Sequence, residues 1–219
     1  MLHTAEVRWF VQGSLPGQVV QWFWHGSSPR GPDVRDDWYL VLPGCEGTGV
    51  KFRRGTSLDV KARVGDGGAV SYGPGIAGVR ESWVKWSSDN AQVVEGLAHV
   101  CAGAREWLGV RKERYLRFFT LELARPVELR TYAATTVGCH VELTRVLAGD
   151  TRPCEAWTLG LEAYGERDQR EEALDATATH LFTGRPPLPV PLAAAASMGY
   201  PAWLNRLPRG GRQTRPAPS

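Results

Sequence analysis

Hydrophobic and polar residues alternate along most of the chain, a pattern that is typical of half-buried β-strands. Seven segments alternate clearly: residues 5–11, 49–54, 58–63, 81–86, 127–132, 139–146 and 157–164. Weaker strands are predicted at residues 19–24, 38–42 and 114–121. Glycine and proline separate the segments, and residues 65–68 predict a hairpin turn. We therefore expect a structure dominated by antiparallel strands.

Two longer segments have helical periodicity instead. Asp89 is a suitable N-cap for a helix that ends near residue 107. Its buried stripe follows helical spacing and consists of Val93, Val94, Leu97, Val100, Cys101 and Ala104. A second helix is predicted over residues 166–181, with Leu174, Ala178 and Leu181 facing inward.

The order of these elements predicts one main domain. Strands continue on both sides of the first helix, which favours a helix laid against a single barrel over two separate units. Many strands with few helices indicate a barrel or a sandwich, and we expect the barrel. The α+β, mainly antiparallel domain is placed at residues 1–183, a connector with a short helix packed on the barrel at residues 184–207, and a disordered basic tail at residues 208–219.

Composition and charge narrow the function classes. The formal net charge is +3, but four of the 26 basic residues lie in the C-terminal stretch, leaving 22 against 23 acidic residues in the body. Without a basic face, a nucleic-acid partner is not expected. No apolar run is long enough for a membrane helix, and the start of the chain has no leader pattern. The four cysteines have no metal-like spacing, which favours reduced, buried thiols and a cytoplasmic location.

Charged residues gather on one face of each predicted strand, because residues two apart share a face. The charged or polar faces hold Glu6 and Arg8; Lys51 and Arg53; Asp59, Lys61 and Arg63; Glu81 and Lys85; Glu128 and Arg130; His140, Glu142 and Thr144; Glu162 and Tyr164. Alternation does not say whether this face is the lumen or the exterior. An exterior charged face would leave an apolar, Trp-rich lumen for a hydrophobic ligand.

Rows of like charge favour the other interpretation. Neighbouring bases on one strand face repel each other unless an anion lies among them. This arrangement predicts an anion-binding lumen. His140 is interpreted as a structural residue, because a lone histidine on a strand is a weak signal for a base or a ligand.

The same segments resemble the CYTH superfamily of triphosphate tunnel metalloenzymes. The resemblance runs from Glu6 to Gly165 and is distributed over short motifs. They are the early Glu-x-Arg strand, Lys51-Phe52-Arg53, Leu58-Asp59-Val60-Lys61-Ala62-Arg63, Val141-Glu142-Leu143 and Leu161-Glu162-Ala163. The resemblance implies an eight-stranded closed antiparallel barrel that forms a tunnel with flanking helices.

The resemblance also implies a function and a set of site residues. A small phosphorylated ligand of the triphosphate or polyphosphate type would be held by Lys51, Arg53, Lys61, Arg63, Lys85 and Arg130. Glu6, Glu142 and Glu162 would hold Mg²⁺ or Mn²⁺. Glu6, Arg8 and Lys61 would be the catalytic residues of a metal-dependent triphosphate hydrolase.

The sequence departs from the pattern of this superfamily at two carboxylates. Its first strand usually reads Glu-x-Glu-x-Lys, whereas here it reads Thr4-Ala5-Glu6-Val7-Arg8. A late Glu-x-Glu has become Glu142-Leu143-Thr144. Loss of two oxygen ligands weakens a site for a hard divalent cation. A non-catalytic phosphate-binding or regulatory protein and the apolar-lumen carrier therefore stay open as alternatives.

Overall fold

The computed structural model describes residues 1–53, 57–90, 92, 96, 106–149, 153–183 and 186–208. Within these residues one antiparallel sheet has the order β2-β3-β4-β5-β1-β9-β8-β6-β7. A further pairing between β2 and β6 closes the first eight of these into a barrel, which confirms the predicted fold. The strands are β1 (Leu2–Gln12), β2 (Asp33–Leu40), β3 (Thr48–Arg53), β4 (Ser57–Gly73), β5 (Ile76–Ser88), β6 (Trp107–Glu122), β7 (Arg125–Leu129), β8 (Gly138–Ala148) and β9 (Cys154–Tyr164).

The long strand β6 closes the barrel. One of its edges pairs with β8 over residues 110–120. Its other edge pairs first with β2, over residues 107–114, and then with β7, over residues 118–122. The hairpin strand β7 therefore extends the wall of the barrel at one end only.

Helices pack on the outside and at one end of the barrel. They are α1 (Gly17–Phe23), α2 (Arg167–Thr183) and α3 (Tyr200–Arg206), with a short 3-10 turn at Ala194–Ala196. Leu174, Ala178 and Leu181 of α2 are fully buried, as predicted, where the helix packs on β9, β4 and β8. No described helix is long and apolar enough to cross a membrane.

The apolar faces of the strands point outward, under these helices. Trp9 is fully buried, and its ring lies 6.0 Å from that of Phe182 in α2. Leu143, Leu159 and Leu161 belong to the same buried cluster. This larger hydrophobic cluster thus lies between the barrel wall and its helical cover, and the opposite, charged faces are left to the lumen. A second cluster, which includes Phe10, Tyr39 and Trp203, lies where α3 meets the barrel.

The segment 19–24 was predicted as a strand, and this is wrong. Residues 17–23 form helix α1 after Pro16, which adopts an extended conformation at the N-cap position. Val19, Trp22 and Phe23 are buried at helical spacing. A short apolar run is compatible with a strand or with a buried helix. Here the helix buries these side chains in the same hydrophobic cluster as Trp9.

The predicted hairpin at residues 65–68 is also wrong. Strand β4 continues through these residues, and its pairing with β5 shifts register between Arg63 and Gly65 and again between Asp66 and Gly68. A Cβ atom on Gly67 would lie 2.6 Å from Nε of Arg80, and Gly68 has a φ of +83°. These glycines form bulges that bend a long strand.

Other predictions have mixed outcomes. The helix from Asp89 to about residue 107 lies almost entirely outside the described residues, although Trp107 itself begins β6. Residues 209–219 of the predicted disordered tail also lie outside them. Cys45, Cys139 and Cys154 are free thiols, but Cys45 is exposed rather than buried.

Truncating the centre of α2 should destabilise the barrel. Leu174→Ala removes a side chain with no exposed surface, so we expect the free energy of unfolding to fall by about 2–5 kcal/mol in urea denaturation. Leu123 is 98% exposed in the β6–β7 turn, and Leu123→Ala should change the free energy of unfolding by less than about 0.5 kcal/mol. Equal effects of the two substitutions would contradict the position of the core.

Candidate functional site: a charged lumen

The barrel lumen contains a cavity of about 560 Å³ lined mainly by charged and aromatic side chains. Within the described residues, eight cationic side chains and four carboxylates line it. The cations are Arg8, Arg35, Lys51, Arg53, Lys61, Lys85, Lys112 and Arg114, and the carboxylates are Glu6, Asp59, Glu142 and Glu162. Cations therefore outnumber carboxylates in the lining, although Asp37 and Asp33, which lie outside it, also pair with some of these cations.

Helix α3 closes one end of the cavity. The ring of Tyr200 stacks on Tyr39 at 5.5 Å and lies 4.0 Å from Nζ of Lys112. Trp203 of the same helix stacks on Phe10 at 4.6 Å, which anchors α3 to the wall. A Cβ atom on Gly199 would lie 2.9 Å from the Trp83 ring, so glycine allows the close approach of this segment.

A first ionic cluster lies where β1 and β9 meet. Glu6 and Glu162 are register partners, and Lys61 of β4 makes ion pairs with both carboxylates. Thr4 also donates a hydrogen bond to Glu6 at 2.6 Å. Burial and the charge of Glu162 raise the pKa of Glu6. Burial would raise the pKa of Glu162, but the positive charge of Lys61 lowers it. The ammonium group therefore stabilises two neighbouring carboxylates.

A second cluster surrounds Glu142 on β8. One carboxylate oxygen accepts a hydrogen bond from Arg8 at 2.9 Å and the other accepts one from Arg114 at 3.1 Å. Burial would raise the pKa of Glu142, but the two guanidinium groups hold it far below its ordinary value. A Cβ atom on Gly160 would lie 2.4 Å from Cζ of Arg8, so the missing side chain at this position leaves room for the guanidinium group.

A third cluster has more cations than carboxylates. Asp59 lies 3.0 Å from Nζ of Lys51, 3.4 Å from Nη2 of Arg53 and 3.6 Å from Nζ of Lys85. Arg53 also lies 4.0 Å from Asp37, so Asp59 neutralises these three cations with help from a second carboxylate. Burial lowers the pKa of Lys51 to about 8, although Asp37 and Asp59 oppose this shift.

The buried Asp37 is the centre of a fourth cluster, whose cations Lys112 and Arg35 line the cavity. Its carboxylate lies 3.0 Å from Nζ of Lys112 and 3.3 Å from Nε of Arg35. Lys112 also donates a hydrogen bond to the Tyr39 hydroxyl at 2.6 Å. Burial lowers the pKa of Lys112 well below its ordinary value, with Asp37 opposing the shift. The fourth cluster thus places positive charge at the end that α3 closes, where Lys112 lies against Tyr200.

The structure brings most of the residues predicted from the sequence into this cavity. Those that line it are Glu6, Arg8, Lys51, Arg53, Lys61, Lys85, Glu142 and Glu162. Arg63 does not: the β4 bulge begins beside it, and its guanidinium group donates to Glu81 at the barrel rim. Arg130 does not either, because it is exposed and follows the end of β7.

Sequence reasoning missed three cations of the lining, Arg35, Lys112 and Arg114. The spacing Arg35-x-Asp37 on β2 and Lys112-x-Arg114 on β6 shows the same alternation as the other strands. The predicted strands began at residues 38 and 114, so they left out Arg35, Asp37 and Lys112. Register pairing of β2 with β6 brings these rows side by side where the barrel closes.

The three carboxylates predicted as metal ligands are already engaged by cations. Lys61 holds Glu6 and Glu162, and two arginines hold Glu142. No group of three or more His, Cys, Asp or Glu side chains suited to a metal ion occurs among the described residues. A divalent cation would have to displace Lys61 and would leave Glu142 with its arginines, so these residues fit such an ion poorly. The Mg²⁺ or Mn²⁺ site stays a prediction.

Comparison with known proteins finds similar structures but no family. No protein-family model and no curated protein matches the chain. The PH1012 protein of Pyrococcus horikoshii OT3 is similar at 14% identity and a TM-score of 0.40, over 80% of this chain and 89% of that chain. A conserved hypothetical protein of Pyrococcus furiosus is similar at 11% identity and 0.38, over 82% and 93%. A chain of the Schizosaccharomyces pombe Mediator head module is similar at 9% identity and 0.40, over 84% and 92%, and similarity of this degree assigns no function.

Proposed function

We propose that the lumen binds a phosphorylated anion of the triphosphate or polyphosphate type. The observation that carries this proposal is the excess of cations over carboxylates among the described lining residues. A buried excess of positive charge is costly unless an anion neutralises it, and phosphate oxygens accept charge-assisted hydrogen bonds from Lys and Arg. The resemblance to the CYTH superfamily supports the same ligand class.

The third cluster is the preferred place for the phosphate chain. Lys51, Arg53 and Lys85 converge on Asp59, and Asp37 lies 4.0 Å from Arg53, so the three cations still have donors left for another anion. Elsewhere in the lining, Arg8 and Arg114 share Glu142, and Arg114 also pairs with Asp33. A chain of several phosphates could contact both walls, whereas a single phosphate could not.

The proposed activity is binding, and no step of it uses a metal ion. The carboxylates that would hold the ion are neutralised by Lys61, Arg8 and Arg114 instead. Metal-dependent hydrolysis of a triphosphate remains the second candidate. It is favoured by one observation, the register pairing of Glu6 with Glu162, which places two carboxylates around a single cation position.

Heat stability separates these candidates. In a chelator, tripolyphosphate should raise the melting temperature of the full chain, because a ligand that binds the folded state stabilises it by RT ln(1 + [L]/Kd). A shift that needs Mg²⁺ or Mn²⁺, together with phosphate release, would favour the hydrolase. The absence of any shift with or without metal would overturn the proposed binding.

Gly160→Ala should weaken binding without unfolding the barrel. The new methyl group meets the flexible end of Arg8, so we expect the guanidinium group to move away from the position in which it contacts Glu142. Loss of one charge-assisted contact should lower the affinity for tripolyphosphate by about tenfold in calorimetric titration. Gly31→Ala adds a methyl group where nothing lies within 4 Å and serves as the control. Equal affinities of the two variants would contradict the role of Arg8.

Binding should weaken as the pH rises through the pKa of Lys51. That pKa is about 8 in the free protein, and a bound anion would raise it. Above about pH 8 binding must therefore take up a proton, and affinity should fall by up to about tenfold per pH unit. Lys51→Arg keeps the charge at all these pH values, so the ratio of wild-type to variant affinity should fall between about pH 7 and about pH 9.5. A constant ratio would exclude Lys51 from the binding site.

A further inference from the structure

The two ends of the cavity differ in chemistry. Strand β6 runs along the lumen, and Lys112 near its start lies against Tyr200 of α3. Phe118, six residues further along the same face, therefore lies about 20 Å away at the opposite end. Leu2 at the start of β1 lines the cavity too, and Arg8, six residues later, faces Tyr200. The end remote from α3 thus has apolar side chains, Leu2 and Phe118, beside Lys85, the register partner of Leu2.

Three aromatic side chains form this remote end, which we call the aromatic rim: Phe118, Tyr132 and His140. Each pair of these rings meets edge to face, with centroids 5.2 to 5.9 Å apart. Tyr132 is 62% exposed, so the rim lies at the mouth of the cavity. An exposed aromatic group beside a cavity has apolar surface available for a ligand.

His140 belongs to the rim as a neutral, hydrogen-bonding group. Burial lowers its pKa, although Glu162 and Glu142 act in the opposite direction. Within the described part of the chain its Nε2 atom is buried and has no hydrogen-bond partner. The rim therefore combines flat apolar surfaces with one polar atom that has no partner among the described residues, a combination that suits an organic ring.

The rim adjoins the cations. Glu162, which pairs with Lys61, is the register partner of His140, and Lys85 is the register partner of Leu2. A phosphate chain that begins at Lys85 and extends toward α3 would leave any group on its outer end among the three rings. This continuity of ionic and aromatic linings lies within one cavity.

We propose that the ligand is an organic phosphate with a planar aromatic group, and that the aromatic rim holds this group while the cations hold the phosphate chain. This inference rests on the proposed anion binding and narrows it, because inorganic polyphosphate would leave the rim unused. Stacking of one ring on aromatic side chains is expected to tighten binding by about five- to hundredfold.

Two synthetic probes isolate the contribution of the ring. Phenyl triphosphate and methyl triphosphate carry the same charge and differ in the aromatic group. In calorimetric titrations of the full chain in a chelator, phenyl triphosphate should bind about tenfold more tightly than methyl triphosphate. Tyr132→Ala and Phe118→Leu should reduce this ratio to about one to two while leaving methyl triphosphate unaffected. Trp86→Leu, at a half-exposed tryptophan outside the cavity lining, should keep the ratio.

The titrations distinguish an error in the aromatic-rim proposal from an error in the proposed anion binding. Equal affinity of both probes for the wild-type chain would overturn the aromatic rim and leave anion binding intact. A preference for phenyl triphosphate that survives Tyr132→Ala and Phe118→Leu would also overturn it, because the ring would then bind elsewhere. Binding of neither probe would overturn both proposals together.

Discussion

Lys51→Gln is expected to weaken tripolyphosphate binding by about ten- to hundredfold, because it removes one of the three cations that converge on Asp59. The barrel should still fold, since Lys85 and Arg53 remain near that carboxylate. The affinity is measured by calorimetric titration in a chelator, and the melting temperature of each free protein is recorded beside it.

Arg111→Gln is the matched control for Lys51→Gln. Arg111 also lies in the barrel wall, but it is exposed and its ion pair with Asp36 is outside the cavity lining. Its loss should change the affinity by less than about twofold, as expected for a screened surface charge. If both substitutions weaken binding equally, the anion binds through the general charge of the protein and not in the lumen.

Glu142→Gln should tighten tripolyphosphate binding by about tenfold or more. The substitution frees Arg8 and the Nη1 donor of Arg114 for the ligand, although Arg114 keeps its contacts with Asp33, and it removes a negative charge that would repel phosphate. The free protein should become less stable, because the guanidinium group of Arg8 loses its carboxylate and Arg114 keeps Asp33 alone, and saturating ligand should restore much of the lost stability. Calorimetric titration and thermal unfolding of the same samples measure both effects.

The hydrolase alternative predicts the opposite result for this variant. If Glu142 holds a divalent cation, Glu142→Gln should abolish metal-dependent release of phosphate and weaken binding modestly. Glu155→Gln is the control, since Glu155 is a carboxylate paired with Arg145 and lies outside the cavity lining. Weaker binding by Glu142→Gln, with no change for Glu155→Gln, would refute a site in which this carboxylate only neutralises arginines.

The barrel was predictable because two-residue alternation is encoded directly in each strand. Alternation did not decide which face is the lumen, since Val7 and Trp9 alternate with Glu6 and Arg8 in either arrangement. That decision depends on packing between distant segments, such as the contact of Trp9 with Phe182 in α2. The apolar-lumen alternative fails for this reason: the helices bury the apolar faces outside the barrel.

The sequence predicted part of the candidate site, and each residue that was wrongly included or omitted has an explanation in the structure around it. Arg63 has the two-residue spacing of a lumen residue, but a β-bulge begins beside it. Alternation of polar and apolar residues does not predict where a bulge lies. Lys112 and Arg114 were missed or left unassigned because β6 begins seven residues before its predicted start at residue 114. The α3 end of the cavity was beyond sequence reasoning, because Tyr200 reaches Tyr39 and Lys112 only through the tertiary fold.

The most direct test of anion binding in the lumen is a crystal structure of the chain grown with tripolyphosphate and a chelator. We expect phosphate oxygens inside the barrel at about 2.7–2.9 Å from donor atoms of Lys51, Arg53 and Lys85. A lumen in which these cations keep only their carboxylate partners, with tripolyphosphate bound on the outer surface of the barrel, would contradict the proposed function.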